Sequence, residues 1–197
     1  MCGGKGTRLE SSHEKPLHPI AGTAMVDRVL AALRESAIET VYAAVSPNAP
    51  ATRAQLEATD GVAAIETAGE GYVTDLLSVL EDPQISPPVL TVAADLPLLE
   101  APVVDRILAA HGDGNASRTV CVPVALKRRL GVSIDTRLEA ADHLAPTGVN
   151  VVGTTDDSTT MTDVYYDSRL ATNVNRLEDA RLAAGLLRDR DHDGEGR

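Results

Sequence analysis

A cluster of glycines and cations at the start of the chain could bind a highly charged anion. Gly3, Gly4 and Gly6 stand close together, and Lys5 and Arg8 flank them. Glycine lets backbone N–H groups approach a ligand closely, and successive N–H groups in such a turn form an anion-binding concavity. Arginine and lysine side chains there would neutralise the anion. The stretch, which also includes Thr7, therefore predicts a polyphosphate site.

Side-chain oxygens further along the chain could hold a metal ion beside that anion. Asp95 follows an apolar, β-rich run, and ligands of open parallel sheets bind at the carboxyl ends of strands. Mg²⁺ takes one or two protein oxygens together with phosphates and water. Asn173 and Asn175 are further oxygen donors, although either could instead cap the following helix. Asp95 could likewise serve only to cap a turn.

Three short polar or glycine-containing segments are candidates for recognising the rest of a nucleotide and an acceptor. Two of them follow predicted strands and could read a base, but plain turns or loops are equally compatible with their composition. The third could border an acceptor or a ribose, or simply be a strand edge. The base-reading candidates are Ser46, Asn48, Thr67, Gly69 and Gly71, and the acceptor or ribose candidates are Gly148 and Asn150.

Alternating strands and helices must position these groups. Hydrophobic periodicity predicts helices over about 23–36, 73–80, 103–111 and 177–187, with a further helix capped by Asn48. β-rich runs predict strands over 40–45, 62–67, 89–94, 119–124, 148–152 and 164–166, and a short one over 132–134. This order predicts one α/β domain over residues 1–187, with a mainly parallel sheet covered by helices on both faces.

Both ends of the predicted domain are unusual. A phosphate-binding turn normally follows a buried strand, but only Met1 and Cys2 precede Gly3. We therefore expect the first strand to be truncated, with roughly five apolar residues belonging upstream, by the usual length of a strand. Residues 188–197 are charged and poor in apolar side chains, so a disordered tail is expected.

The amino-acid composition argues against several classes of protein. The formal net charge is −11, and lysine occurs only at positions 5, 15 and 127. Such an acidic, lysine-poor chain resembles proteins of salt-loving organisms and argues against a nucleic-acid partner. Two scattered cysteines do not make a disulfide framework or a zinc site. With no apolar run long enough for a membrane span and no visible secretion signal, a cytoplasmic location is expected.

The pattern of motifs resembles a known family. Neither the P-loop nor the dinucleotide fingerprint fits the glycine stretch. Gly-Gly-Lys-Gly-Thr-Arg-Leu followed by Glu-Lys-Pro-Leu instead resembles the MobA-like NTP transferase superfamily. Together with Ser46-Pro-Asn, Gly69-Glu-Gly-Tyr, Asp95-Leu and Asn173-Val-Asn, it is similar to the archaeal GTP:adenosylcobinamide-phosphate guanylyltransferases, called CobY. The departures are the missing first strand and Cys2, where alanine is common.

The resemblance implies a fold, a reaction and roles for the candidate residues. The fold is Rossmann-like, of the nucleotide-diphospho-sugar transferase type, and the family suggests a homodimer. GMP passes from GTP to adenosylcobinamide phosphate, and pyrophosphate leaves. The backbone of residues 3–7 and Arg8 would bind the β- and γ-phosphates, Lys15 the α-phosphate, and Asp95 with Asn173 or Asn175 the Mg²⁺. Arg8, Lys15 and Asp95 are then the catalytic residues.

Other functions stay open at this point. The glycine motif alone fits a molybdenum-cofactor guanylyltransferase or a sugar-phosphate nucleotidyltransferase equally well. A non-catalytic nucleotide-sensing module could share the fold. Retention of Arg8, Lys15 and Asp95 together argues against a sensor, which does not need all three.

Overall fold

The fold alternates strands and helices along the whole described chain. The computed structural model describes residues 1–2, 9, 11–154 and 160–194, the last four of these by backbone alone. A 3₁₀ helix, Lys15–Leu17, precedes the regular elements. In order these are β1 Pro19–Ile20, β2 Thr23–Ala24, α1 Met25–Arg34, β3 Val41–Val45, α2 Pro50–Glu57, β4 Val62–Glu66, α3 Tyr72–Leu80, β5 Val89–Val92, α4 Ala101–His111, β6 Arg118–Pro123, α5 Val124–Leu130, β7 Leu144–Val152, β8 Met161–Val164, α6 Ser168–Ala171 and α7 Leu177–Gly194.

Two groups of strands build the central sheet, and β1 with β2 forms a small separate hairpin. Strands β3 and β4 pair in parallel, with Val41 opposite Val62. The other group has the order β5-β7-β6-β8. Strand β7 runs antiparallel to both β5 and β6, whereas β6 and β8 are parallel. The sheet thus combines parallel strands with one antiparallel strand, β7, in its middle.

Met1 and Cys2 lie between the two groups as the end of a strand. The Met1 nitrogen donates to Val92 O at 2.9 Å, and Ala94 N donates to Met1 O at 3.3 Å. This is the pattern of a parallel ladder, in which one residue bonds to both flanks of its partner. On the other side Cys2 N donates to Ala44 O at 2.8 Å. Met1 and Cys2 thus make strand-like hydrogen bonds to both groups.

Helices cover both faces of the sheet, as predicted. Successive strand residues point to opposite faces. On β3, Ala43 and Val45 pack in a cluster with α1 and α2, including Val26 and Leu56. Ala44 instead packs with Val79 of α3. The largest cluster joins α1 and α4 to the strands β5, β6 and β7.

The sequence-based boundaries agree with the structure for most of the long strands and helices, but several elements differ. Elements β1, β2 and α6 were not predicted, β7 begins at Leu144 and not at 148, and β8 spans Met161–Val164 and not 164–166. No strand forms over 132–134 within the described residues, where Val132 N instead closes a turn onto Lys127 O. Helix α5 was not predicted. Helix α7 continues to Gly194, where an end near residue 187 and a disordered tail were expected, because no proline interrupts its polar last turns.

Candidate functional site

Lys15 brings together two of the predicted site residues. Its Nζ donates to Asp95 Oδ2 at 2.6 Å and to Asn175 Oδ1 at 2.7 Å. The Lys15 and Asp95 side chains are each 18% exposed, so the group opens to solvent without being freely hydrated. Asp95 and Asn175, which follow Lys15 by 80 and 160 positions in the sequence, thus contact the same cationic nitrogen.

Lys15, Asp95 and Asn175 are each held by a different segment of the fold. Lys15 opens the 3₁₀ helix, whose second residue is Pro16. Asp95 lies just beyond β5, at the carboxyl end of the strand. The backbone carbonyl of Asp95 accepts Val174 N at 2.9 Å, which ties the segment carrying Asn175 to the end of β5. Strand-end placement of Asp95 was predicted, and it is observed.

Asn173 has a different partner from Asn175. Lys127 Nζ donates to Asn173 Oδ1, and the Lys127 side chain is almost completely buried, at 3% exposure. Burial lowers the pKa of the Lys127 ammonium, while the carboxylates of Asp179, Asp95 and Asp135 act in the opposite direction. The Asn173 oxygen is therefore engaged by a lysine, and Asn175 is the asparagine that meets Asp95 through Lys15.

Asp179 holds the backbone that carries both asparagines. Its Oδ2 accepts the amide N–H groups of Asn175 and Arg176, each at 3.0 Å. Its Oδ1 accepts Ser133 N at 2.8 Å, and the side chain is 1% exposed. A carboxylate in the first turn of a helix that reaches back to the preceding amides is a capping arrangement. Asp179 thus caps α7, the role that the sequence left open for the asparagines.

Glu14 connects the Lys15 segment to the start of α2. Its two carboxylate oxygens accept Ala51 N at 2.8 Å, Thr52 N at 2.7 Å and Thr52 Oγ1 at 2.6 Å. Burial alone would raise the pKa of the Glu14 carboxyl, but these hydrogen bonds outweigh it and hold the pKa below its ordinary value. The amide groups of α2, predicted to be capped by Asn48, are capped instead by Glu14.

The two loops predicted to read a base contact each other. Gly69 has φ +73°, and a Cβ added there would lie 3.0 Å from both Asn48 Nδ2 and Ser46 Cβ. Only glycine fits this approach, because a side chain would be both strained and crowded. Asp75 shapes the second loop, since its Oδ1 accepts Gly69 N at 2.9 Å and Glu70 N at 3.2 Å.

Thr67 and Gly71 frame that second loop. Thr67 is buried, and its N–H continues the β3–β4 pairing by donating to Val45 O at 2.9 Å. Gly71, at φ +121°, is the N-cap of α3. The five base-reading candidates therefore lie on two adjoining loops at the carboxyl ends of β3 and β4.

Gly148 and Asn150 lie on β7, next to the end of β5. Gly148 has φ +86°, and an added Cβ would meet the Ala93 Cβ at 2.8 Å. Gly148 O accepts Ala93 N at 2.9 Å, two residues before Asp95. Asn150 Nδ2 donates to the Tyr72 hydroxyl at 2.8 Å, and that hydroxyl lies 2.8 Å from Thr91 Oγ1. This polar cluster adjoins the site along β5 and β7.

A pocket of about 230 Å³ lies beside Lys15 and Asp95. Its wall combines the strand-end carboxylate, the lysine and the start of α3. The lining residues are Met1, Cys2, Lys15, Pro16, Gly71, Tyr72, Asp75, Ala93, Ala94 and Asp95.

The predicted phosphate-binding residues follow directly after Cys2 in the sequence. Gly3, Gly4, Lys5, Gly6, Thr7 and Arg8 lie outside the described residues. Their assignment to a triphosphate therefore stays a prediction. Cys2, which precedes them in sequence and is described, lines the same pocket as Lys15 and Asp95.

The oxygens of Asp95 and Asn175 suit a hard cation. Both already point at one positive charge, the Lys15 ammonium, and Mg²⁺ prefers one or two such oxygens. The Asn173 oxygen does not join them, because it accepts a hydrogen bond from Lys127 instead. Within the described part of the chain, no group of three or more His, Cys, Asp and Glu side chains could hold a metal. A metal here would need ligands from a bound phosphate as well.

Sequence reasoning missed the supporting residues Glu14, Lys127 and Asp179. Signals existed for all three. Glu14 stands in the quoted Glu-Lys-Pro motif, and Asp179 follows the two asparagines at a fixed short spacing. Lys127 is one of only three lysines in the chain.

Comparison with known proteins finds relatives over nearly the full length of this chain. The sequence pattern of the MobA-like NTP transferase domain matches residues 1–193. The chain belongs to the MobA-like NTP transferase family. Adenosylcobinamide-phosphate guanylyltransferase of Methanocaldococcus jannaschii is 29% identical over 199 residues, with 95% of each chain covered. The bifunctional protein GlmU of Gloeobacter violaceus is 34% identical over 124 residues, which span 61% of this chain and 26% of GlmU.

Solved structures show the same fold. CMP:2-keto-3-deoxy-manno-octonic acid synthetase, solved in complex with CTP, superposes with a TM-score of 0.64. The match covers 93% of this chain and 96% of the other, at 15% sequence identity. This confirms the predicted Rossmann-like fold of a nucleotidyltransferase. None of the helices among the described residues has the length and apolar character needed to cross a bilayer.

Proposed function

We propose that this protein transfers GMP from GTP to adenosylcobinamide phosphate, giving adenosylcobinamide-GDP and pyrophosphate. The observation that carries the proposal is the convergence of Lys15, Asp95 and Asn175 at the carboxyl end of β5. It supplies a cation for a reacting phosphate and oxygens for a metal at one place. The choice of nucleotide and acceptor rests on the M. jannaschii guanylyltransferase, which matches this chain over nearly its full length.

In this mechanism the protein positions the two substrates and neutralises the negative charge on their phosphates. It abstracts no proton. An acceptor phosphate oxygen is already anionic near neutral pH, so its attack on the α-phosphorus needs no general base. Charge builds on the α-phosphate and on the departing pyrophosphate. Donors arranged in advance around such charge supply most of the rate enhancement. Lys15, the cation beside the described pocket, is assigned to the α-phosphate.

Asp95 and Asn175 are assigned to a Mg²⁺ ion. When bound, Mg²⁺ supplies positive charge that offsets the growing negative charge on the α- and β-phosphates. Both residues now accept a hydrogen bond from Lys15, and Lys15 would turn to the α-phosphate if a metal took its place. The hydrogen bonds seen here therefore hold the lysine close to its working position until substrate binds.

Other residues are assigned to the remaining parts of GTP. The backbone of residues 3–7 and Arg8 would bind the β- and γ-phosphates. The adjoining loops that contain Ser46, Asn48, Thr67, Gly69 and Gly71 would read guanine, since they follow neighbouring strand ends. Gly148 and Asn150, beside β5, would border the ribose or the acceptor.

The test is pyrophosphate release with each nucleoside triphosphate, in the presence of Mg²⁺ and of each candidate acceptor. We expect release with GTP that requires adenosylcobinamide phosphate, and the adenosylcobinamide-GDP product identified by mass spectrometry. Release that requires molybdopterin or a sugar phosphate instead would replace this proposal by the corresponding nucleotidyltransferase. GTP binding without release under any of these conditions would favour a nucleotide sensor.

A further inference from the structure

Lys127 is a buried lysine close to the candidate site, and the mechanism proposed above gives it no role. It lies on α5, and the residue is 3% exposed. Lysine is almost never fully buried unless its charge is paired, because removing an ammonium from water is costly. Among the described residues, its ammonium donates to Asn173 Oδ1, which is an uncharged amide oxygen. An apolar side chain would avoid this cost, so the contact with Asn173 indicates a role for the charge.

The partner of Lys127 belongs to the short segment that carries Asn175. Asp179 Oδ2 accepts the Asn175 N–H at 3.0 Å, which holds one end of this segment. Val174 lies between the two asparagines, and its N–H is bonded to the backbone carbonyl just beyond β5. At the other end, Lys127 holds the Asn173 side chain. The segment is therefore fixed on both sides of Val174.

Asp179 also fixes the backbone from which Lys127 extends. Ser133 N donates to Asp179 Oδ1 at 2.8 Å, and Ser133 Oγ donates to Asp179 Oδ2 at 2.7 Å. The turn that leads from α5 to Ser133 is closed by Val132 N, which donates to Lys127 O at 3.0 Å. The hydrogen bond from Lys127 to Asn173 is thus a second connection between two segments that Asp179 already joins.

The charge of Lys127 also acts on carboxylates around the site. Burial lowers the pKa of the Lys127 ammonium, and Asp179, Asp95 and Asp135 act in the opposite direction. Such attraction is stronger in a partly dry region than in water. The hydrogen bond of Lys127 nevertheless goes to Asn173, which leaves the Asp95 oxygens to other ligands. Lys127 can therefore support the site without occupying it.

We propose that Lys127 is the positioning residue for Asn175. Its ammonium holds Asn173, and the short segment between the two asparagines keeps Asn175 Oδ1 directed at the place where Lys15 and Asp95 meet. Lys127 itself contacts neither the metal nor the substrates. This role rests on the proposed function, which assigns Asn175 to Mg²⁺. Replacing a residue that orients a metal ligand commonly costs about 10–100-fold in metal affinity or activity.

Three variants separate this role from a purely structural one. Lys127→Met removes the charge at a similar side-chain length and takes away the partner of Asn173. The double variant Lys127→Met/Asn173→Leu replaces both partners by apolar side chains, a change that can be nearly neutral for stability. Arg128→Met is the matched control, because Arg128 is the neighbouring cation on α5 and is exposed.

Each protein is measured in three ways. Urea unfolding gives its stability. A Mg²⁺ titration of initial rates, with GTP and adenosylcobinamide phosphate, gives its metal requirement. NMR of the Asn175 side-chain amide, assigned through Asn175→Ala, shows whether that side chain is held in one position, and it needs neither metal nor turnover.

We expect Lys127→Met to raise the Mg²⁺ concentration that gives half-maximal rate by at least about tenfold, and to broaden or shift the Asn175 amide resonances. The double variant should regain most of the stability lost in Lys127→Met, because no polar group is left without its partner. It should keep the raised Mg²⁺ requirement and the altered resonances. Arg128→Met should match the wild type in all three measurements.

A double variant that regains the wild-type Mg²⁺ requirement together with its stability would overturn the proposal, because Lys127 would then be structural only. Unchanged Asn175 resonances in Lys127→Met would overturn it as well. If the wild type releases no pyrophosphate with GTP and adenosylcobinamide phosphate, the proposed function fails. The Asn175 resonances would still decide whether Lys127 positions that side chain.

Discussion

Lys15 donates a 2.6 Å hydrogen bond to Asp95, and the same ammonium reaches Asn175 at 2.7 Å. The pair is partly exposed, so its net contribution to stability is small after screening by water. The hydrogen bond matters because it holds the Lys15 ammonium beside Asp95. Catalysis by charge stabilisation needs the cation and the metal-binding oxygens to be in place before the substrate arrives.

Replacing Lys15 by alanine should reduce kcat by about 10²–10³-fold, the usual loss when one donor to a developing charge is removed. The KM for GTP should change much less, because this interaction strengthens only as the reaction proceeds. Steady-state kinetics with varied GTP would show the split. Arg53→Ala is the matched control, since Arg53 is an exposed cation on α2. Lower GTP affinity at an unchanged kcat would contradict the assigned role.

Asp95→Asn should raise the Mg²⁺ concentration that gives half-maximal activity by at least about tenfold, because an amide is a weaker ligand for Mg²⁺ than a carboxylate. Asn175→Ala should act in the same direction, whereas Asn175→Asp keeps an oxygen and should retain more of the wild-type response. A Mg²⁺ titration of initial rates measures all three. An unchanged Mg²⁺ requirement in both Asp95→Asn and Asn175→Ala would remove these residues from the metal site.

Glu14→Gln should destabilise the protein by about 1 kcal/mol, the usual cost of losing a helix cap. The effect should also depend on pH. Because the folded protein holds the pKa of Glu14 below its ordinary value, the carboxylate stabilises fully above the unfolded pKa, about 4.3. That stabilisation is lost as pH falls further, through the folded pKa.

Urea unfolding of wild type and Glu14→Gln at several pH values measures this dependence. The difference between them should shrink on acidification from about pH 6 to about pH 3, the range in which glutamate takes up its proton. Since Glu14 also anchors the Lys15 segment, kcat should fall in the variant at neutral pH. A stability difference that stays constant across this range would show that the carboxylate charge is not what caps α2.

Gly148→Ala should destabilise the protein by more than about 1 kcal/mol, because alanine at φ +86° is strained and its Cβ would lie 2.8 Å from that of Ala93. Gly61→Ala is a matched control. It has a similar φ, +71°, but nothing lies within 4 Å of an added Cβ. Thermal unfolding should show the larger loss for Gly148→Ala, with an additional loss of kcat because Ala93 leads directly to Asp95. Equal losses would mean that the close approach of β7 to β5 is unimportant.

The sequence predicted the parts of this site that follow from local pattern. Asp95 could be placed because an apolar strand ends just before it, and Lys15 because it stands in a recognisable motif. The contacts of Glu14 with Thr52 and of Asp179 with Ser133 join residues 38 and 46 positions apart. A single sequence gives no direct signal for such tertiary pairs.

The direction of β7 also could not be predicted from the local sequence pattern. Its alternation of buried and half-buried residues is the same in either direction, and only its pairing with β5 and β6 shows that it is antiparallel. Helix α5 is a different case. Its sequence, Val-Ala-Leu-Lys-Arg-Arg-Leu, is rich in strong helix formers, so the signal was present and was missed next to a poorly patterned segment.

A crystal structure of the protein with Mg²⁺ and a non-hydrolysable GTP analogue tests the assigned site most directly. We predict a metal ion about 2.0–2.1 Å from an Asp95 oxygen, the usual Mg²⁺–oxygen distance, with Asn175 nearby. Lys15 should have moved from Asp95 to the α-phosphate. A bound nucleotide whose metal lies elsewhere, with the hydrogen bond between Lys15 and Asp95 still intact, would contradict the account.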